Sequence, residues 1–304
     1  MRVISRENHL VACPQQFLRH DTIILSDLDG TVLPLIHDPA QRFIDAGVRD
    51  AWLRFNDIAP DQVIPITGRD WEQVVQCFQH KQPTFPVISS NGAQLHVPSQ
   101  KEITHSFTLP EQVFLREMHE SMQAFQKEHP QLVTERKRFE IGFHSEPTAG
   151  HGHCPRDLIL NLASKCEAML EHLEADAKRK GLNFSVASTE VTAQEMSHRG
   201  IDKLQAVLSF FTAYLPPALQ GNDWSNVIYF GDSLLKGNDR VIAIAVKERG
   251  GLVGQVINGV PDRIPPEDDA ARPHFVFNDP AALGSVLSRQ VNRIEMMPRR
   301  AFGD

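Results

Sequence analysis

The sequence predicts an α/β protein: a parallel sheet with helical crossovers, carrying an inserted α+β layer. Three observations lead there. Short apolar runs rich in β-branched residues recur, and each stops at a small polar cluster, the pattern of strands buried on both faces. Over residues 95–195 the pattern changes to helix, two strands, helix, two strands. A chain of 304 residues is comfortable for such a core with an accessory domain.

Residues 1–20 are polar and irregular and read as a lead-in. Thr22-Ile23-Ile24-Leu25 then gives a first strand ending at Ser26-Asp27. Val63–Ile66 gives a second, ending at Thr67-Gly68-Arg69-Asp70. A helix pattern follows at Trp71, Val74, Val75 and Phe78, with Asp70 suited to cap it. Pro86–Ile88 ends at Ser89-Ser90-Asn91-Gly92, and Val227–Phe230 ends at Gly231-Asp232-Ser233. Ligands of open parallel sheets bind beyond the carboxyl ends of the strands, so these four clusters are expected to converge.

Within the insert, Phe114, Met118, Met122 and Phe125 mark one face of a helix over 111–128. Strands are expected at 132–134 and 138–144, then a loop rich in Gly, His and Pro. A helix over 157–180 and strands at 182–187 and 190–193 complete the layer. Ile201, Leu204, Val207, Leu208, Phe211 and Leu215 mark the next helix. Residues 249–272 read as loop with short strands, 274–277 as a last strand, 280–287 as a closing helix, and the chain from Arg293 as frayed. The resulting division is a core of 21–94 and 196–290, an insert of 95–195 and a tail of 291–304.

Composition narrows the function classes. The chain is 41% hydrophobic and 23% charged, as soluble proteins are. Its net charge is −7 and its basic residues are scattered, which argues against a nucleic-acid partner. No apolar stretch is long enough for a membrane span, and charges interrupt the N-terminus, so neither membrane nor signal peptide is expected. Cys13, Cys77, Cys154 and Cys166 form no CxxC pair, which fits a reducing compartment, the cytoplasm. Oligomeric state is unreadable.

Asp27-Leu28-Asp29-Gly30-Thr31 carries the strongest chemistry. Two carboxylates two apart beyond a strand end can divide nucleophilic attack and proton transfer between them. Anions so close call for a hard divalent cation such as Mg²⁺. An ordinary Asp-Gly turn is the alternative. Thr67-Gly68-Arg69 places a hydroxyl and free amides before a helix N-terminus, which makes either a phosphate cradle or a plain strand-to-helix turn. Lys203 lies in the first turn of a helix, where a cation opposes the macrodipole. It is either a surface lysine or the neutraliser of a phosphate. Asp232 and Asp239 can complete a metal shell, although Asn238 and Asp239 can equally cap a helix. In the insert, Arg136, Lys137, Arg138 and His144 are either a solvated strand or a grip for a second anionic group. His151-Gly152-His153-Cys154 lacks a second ligand pair and reads as a loop, not a zinc site.

Taken in order, DLDGT, TGR, a lysine and GDS…ND, the chain resembles the haloacid dehalogenase superfamily over roughly residues 21–290. The resemblance implies a Rossmann-like core with an inserted α+β cap. It implies Asp27 as nucleophile forming an aspartyl-phosphate, Asp29 as general acid/base, and Thr67, Gly68 and Lys203 around the phosphoryl group. Arg69 and Asn91 would contact substrate. Mg²⁺ would be held by Asp27, the backbone carbonyl of Asp29, Asp232 and Asp239. The short spacing between Thr31 and Thr67 leaves no room for a cap there. Ser90-Asn91-Gly92-Ala93 is similar to the segment preceding a type II-B cap, found in Cof-like and other sugar-phosphate phosphatases and in phosphomannomutase. The long loop between Asp232 and Asp239 and the run Gly200-Ile201-Asp202-Lys203 look like the mutase branch. Thr67-Gly68-Arg69 is the phosphatase form. The implied activity is Mg²⁺-dependent hydrolysis of a small phosphorylated metabolite, a sugar phosphate or phosphoglycerate derivative. A phosphomutase and a non-catalytic regulatory protein are the alternatives.

Overall fold

The computed structural model describes residues 17–34, 42–79, 81–98, 100, 102–144, 156–190, 193–214, 223–235, 238–260 and 264–296. The first part of the chain contains β1 (Ile23–Asp27), α1 (Ala46–Ile58), β2 (Val63–Ile66), α2 (Trp71–Cys77), β3 (Val87–Ser89), β4 (Gln94–His96) and β5 (Ile103–Thr104). Next come α3 (Leu109–Glu128), β6 (Val133–Arg136), β7 (Glu140–His144), α4 (Arg156–Arg179), β8 (Phe184–Glu190) and β9 (Ala193–His198). The chain closes with α5 (Lys203–Tyr214), β10 (Val227–Gly231), α6 (Asn238–Glu248), β11 (Leu252–Val256), β12 (Phe275–Phe277) and α7 (Pro280–Met296).

The larger sheet runs β12-β11-β10-β1-β2-β3-β4-β5. Every pair from β12 to β3 is parallel, and β4 and β5 add an antiparallel edge. Successive strand side chains point to opposite faces, so an apolar run serves two cores at once. Ile24, Val63, Ile228 and Phe230 pack under α1, α2 and α7, whereas Ile23, Leu25, Ile64, Val227 and Tyr229 pack under α5 and α6. The result is a three-layer α/β/α sandwich. The chain grows from β1 toward β3 on one side and from β10 toward β12 on the other. The order therefore reverses between β1 and β10, and their carboxyl ends flank the crevice where such sheets bind ligands.

Helix α1 is not among the elements expected from the sequence. Val48, Ala51, Trp52 and Phe55 form its buried face, and it packs along α7. Gly284 permits that approach, because a Cβ there would lie 2.8 Å from the Val48 nitrogen. Helix α7 continues to Met296 with Val291 and Ile294 buried, so residues 291–296 belong to the core and not to a frayed tail.

The second sheet, β6-β7-β9-β8, is antiparallel throughout. Helices α3 and α4 share a core with one of its faces through Phe114, Met118, Leu170, Ile141, Phe143 and Met196. The strand expected at 190–193 lies instead at 193–198. Glu190 still belongs to β8, just past a register shift at Ser188, and the later strand, with only Met196 large and apolar at its centre, has a weak signature. The large sheet runs on through Thr104 and the small one through His198, so the inserted layer begins after 104 and ends after 198, later at both ends than the expected 95 and 195. Residues 1–16, the 145–155 loop with His151, His153 and Cys154, Leu215, and the end from 297 lie outside the described residues. No described helix is long and apolar enough to cross a membrane. Cys77 and Cys166 are buried free thiols.

Candidate active site

Strand β1 delivers Asp27 to the crevice and then turns sharply. Leu33 donates its N–H to the Leu28 carbonyl at 2.8 Å, and the Gly30 N–H returns to the Leu33 carbonyl at 3.0 Å. Gly30 has φ +74°, and a side chain there would run into the Asp232 carboxylate, so glycine meets both demands of the turn. Asn258, after β11, donates its side-chain amide to the Gly30 carbonyl at 2.7 Å and anchors the loop.

Asp232 follows β10, and Asp239 sits in the first turn of α6. Asp27, Asp232 and Asp239 are all buried, each offering a carboxylate oxygen within 4.8 Å of the others. The longer loop thus does not keep Asp239 away. It accepts the Asp232 and Ser233 backbone N–H groups at 3.2 and 3.3 Å. Lys203 opens α5, with Asp202 capping that helix, and its side chain is only 9% exposed. Its Nζ lies 2.9 Å from Asp27 Oδ1 and 3.5 Å from Asp239 Oδ1. The surface-lysine reading therefore fails.

Charge in this crevice is unbalanced. Burial, and then Asp239, push the Asp27 carboxyl well above the usual carboxylate range, with Lys203 pulling the other way. For Lys203, burial opposes the charge, but Asp27 and Asp239 outweigh it and keep the ammonium protonated. Three carboxylates against one ammonium form a hard-oxygen set short of positive charge, which fits Mg²⁺.

Asp29 behaves differently. Its carboxylate accepts Arg69 Nε at 2.8 Å, Arg69 Nη2 at 2.7 Å and Arg42 Nη1 at 2.9 Å. Burial alone would raise its pKa, but the two guanidiniums prevail and hold it below the ordinary value. Its side chain is not part of the carboxylate cluster. Arg42 is a site residue that sequence reasoning missed, since nothing in a lone arginine in a loop marks it.

Thr67 ends β2. Its Oγ1 accepts the Arg69 N–H at 3.1 Å and its carbonyl accepts the Asn91 N–H at 2.9 Å. Asp70 caps α2 in a full capping box with Gln73. Ser90 and Asn91 both have positive φ, 49° and 53°, in the turn joining β3 to β4. Non-glycine residues adopt that region at a cost, and such strain gathers at functional sites. A Cβ on Gly68 would sit 3.2 Å from the Asn91 side-chain amide, so the two loops touch.

No protein-family model matches the sequence, and no curated protein does. Solved structures do match in fold. A trehalose-6-phosphate phosphatase related protein superposes with a TM-score of 0.62 at 17% identity, over 90% of this chain and 98% of its own. The C-terminal domain of a C. albicans trehalose-6-phosphate phosphatase gives 0.65 at 16%, over 89% and 92%. The C-terminal domain of the Candida albicans trehalose synthase regulatory protein gives 0.60 at 13%, over 89% and 94%. The chain has the haloacid dehalogenase fold.

In this haloacid dehalogenase fold the small sheet turns its polar face to the crevice. Pairing places Glu135, Gly142 and Glu195 in one row across β6, β7 and β9. Lys137 lies over that row, with its Nζ 2.6 Å from Glu140 Oε1, 2.9 Å from Glu195 Oε1 and 3.5 Å from Glu135 Oε2. It is buried among carboxylates, neither solvated nor free to take an anion. Arg138 is exposed and stacks over Phe139. The side chains of Arg136 and His144 lie outside the described residues. The glutamates were not singled out from sequence, although their alternation with Ile141, Phe143 and Met196 carried the signal.

Proposed function

We propose that the chain is a Mg²⁺-dependent phosphatase acting on a sugar phosphate, with Asp27 as nucleophile. The observation that carries this reading is the buried ammonium of Lys203 against Asp27, inside the carboxylate set at the strand-order reversal. A bare carboxylate cluster would serve a metal alone. Pairing its first member with a lysine suits a site that receives an anion.

Asp27 attacks phosphorus in line; Asp29, once it has left the two guanidiniums and taken up a proton from solvent, gives that proton to the leaving ester oxygen. Asp29 next takes a proton from water, which cleaves the aspartyl-phosphate and regenerates Asp27. Lys203, Thr67 and the Gly68 amide hold the phosphoryl oxygens, where charge must be stabilised. Asp27, Asp232 and Asp239 would hold Mg²⁺, with the Asp29 carbonyl, and the ion would supply further neutralisation of those oxygens. Before donating, Asp29 must leave Arg69 and Arg42. The incoming phosphate is the anion suited to replace it, which gives Arg69 its contact with substrate. Opposite, Glu135 and Glu195, held in place by Lys137, present acceptors, a lining suited to sugar hydroxyls and unsuited to an apolar or multiply anionic leaving group. Two of the three neighbours described above are named for trehalose-6-phosphate phosphatase, which makes that disaccharide phosphate the first ester to try.

The test is phosphate release from a panel of esters, including trehalose 6-phosphate, glucose 6-phosphate and p-nitrophenyl phosphate, with and without Mg²⁺. Metal-dependent release from a sugar phosphate, abolished in a folded Asp27→Asn variant, is expected. Appreciable turnover by that variant would remove Asp27 from its role. Silence on every ester would point to a mutase or to a regulatory protein.

A further inference from the structure

Glu140 is the most deeply buried carboxylate of the Lys137 cluster, 1% exposed, and its two oxygens face different bodies of the molecule. Oε1 accepts Lys137 Nζ at 2.6 Å, within the small sheet. Oε2 accepts Asn91 Nδ2 at 2.9 Å, from the turn that follows β3 in the large sheet. On the core side, Asn91 donates its backbone N–H to the Thr67 carbonyl and rests against Gly68. On the other side, Lys137 continues to Glu195 and Glu135. An unbroken chain of contacts therefore runs from the strand end expected to hold the phosphoryl group to the lining expected to meet the sugar. Glu140 is its central link.

We propose that Glu140 is a positioning residue that fixes the Lys137–Glu195–Glu135 lining relative to the phosphate-holding Thr67–Gly68 segment, so that only esters reaching both are turned over efficiently. The inference rests on the phosphatase reading for its kinetic consequence, and on the geometry alone for the link itself. Its physics is that of a fully used acceptor. A buried carboxylate with a donor on each oxygen loses one bond whenever it loses its charge, and the orphaned donor is costly. The charged and polar groups facing it are Lys137 from the β6–β7 turn, Glu195 from β9, the Asn91 amide from the core and, beyond Lys137, Glu135 from β6. Burial pushes the Glu140 carboxyl up to about 7, with Lys137 pulling down and Glu195 pushing up. Protonation of Glu140 therefore costs the link one of its two bonds.

Glu140→Gln keeps the shape but turns an amide N–H₂ toward one of two donors. In the full chain with Mg²⁺, the variant is expected to lose about 10- to 100-fold in kcat/KM for trehalose 6-phosphate. Its rate on p-nitrophenyl phosphate, whose leaving group does not span the lining, stays within about threefold. The wild-type inflection near pH 7 in the sugar-phosphate profile disappears in the variant, while the ionisation of the substrate remains in both. Hydrogen exchange, which needs no turnover, is expected to quicken in residues 90–93 although the change lies on β7. Equal loss on both esters, an unchanged inflection, or unchanged exchange at 90–93 would each overturn the proposal. If the wild type hydrolyses no ester of the panel, the phosphatase reading falls and the exchange result alone decides the link.

Discussion

Asp29 makes the acid limb of the stability profile interpretable at a single residue. Its carboxyl is held below its usual pKa by Arg69 and Arg42 against the effect of burial. A depressed carboxylate stabilises the fold above its unfolded pKa of about 4, and that contribution disappears as pH falls through the lower folded value. Arg69→Met weakens the hold and raises the folded pKa. The variant should therefore be about 1 kcal/mol less stable at neutral pH, a small figure because the Asp29 side chain is 34% exposed and solvent screens the pair. Its stability should also decline less steeply between about pH 5 and pH 3 than the wild type's. Urea unfolding across that range measures both, and parallel profiles would contradict the assignment. The variant should also lose activity, since a methionine offers no fork to an incoming phosphate.

At the scale of elements, the two ends of the described core are stapled by α1 against α7. Leu287 is fully buried there, among Val48, Trp52, Phe55 and Val291. Leu287→Ala leaves a cavity far along the sheet from the crevice and should cost about 2–5 kcal/mol. The urea midpoint should fall while KM for the substrate stays put. A change in KM would mean that the α1–α7 layer reaches the site. The small sheet divides its duties by alternation: Ile141, Phe143 and Met196 serve the α3–α4 core, while Glu140, Gly142 and Glu195 are left for the polar face. One strand thus serves a core and a polar face, and a slip by one residue would exchange them.

The whole molecule carries an electrostatic cost in its crevice, because three buried carboxylates share one lysine. A cation bound only by the folded state stabilises it by about 2.7 kcal/mol at a hundredfold excess over its Kd. Mg²⁺ should therefore raise the thermal midpoint by a few degrees in the wild type and by much less in Asp232→Asn. Equal shifts in the two proteins would place the ion elsewhere. Calorimetry decides this without any substrate.

Local chemistry made much of this architecture legible before any coordinates. The four strand-end clusters and the buried strands behind them are matters of adjacent residues, since an apolar run that stops at Asp27 or Asp232 reads the same in any fold. Helix α3 and the N-cap at Asp70 were legible for the same reason. Helix α1 was missed although Val48, Ala51, Trp52 and Phe55 carry helical spacing; what local sequence does not show is its partner α7, more than two hundred positions later in the chain. Strand β9 was displaced because its alternation is polar on one side and sparse on the other. Partnerships were the least legible. That Lys203 faces Asp27, that Arg42 joins Arg69 on Asp29, and that Glu140 reaches Asn91 depend on which loops the sheet order brings together. Sequence shows which side chains can carry charge. Tertiary structure sets the distances between them, and interaction energy depends on distance.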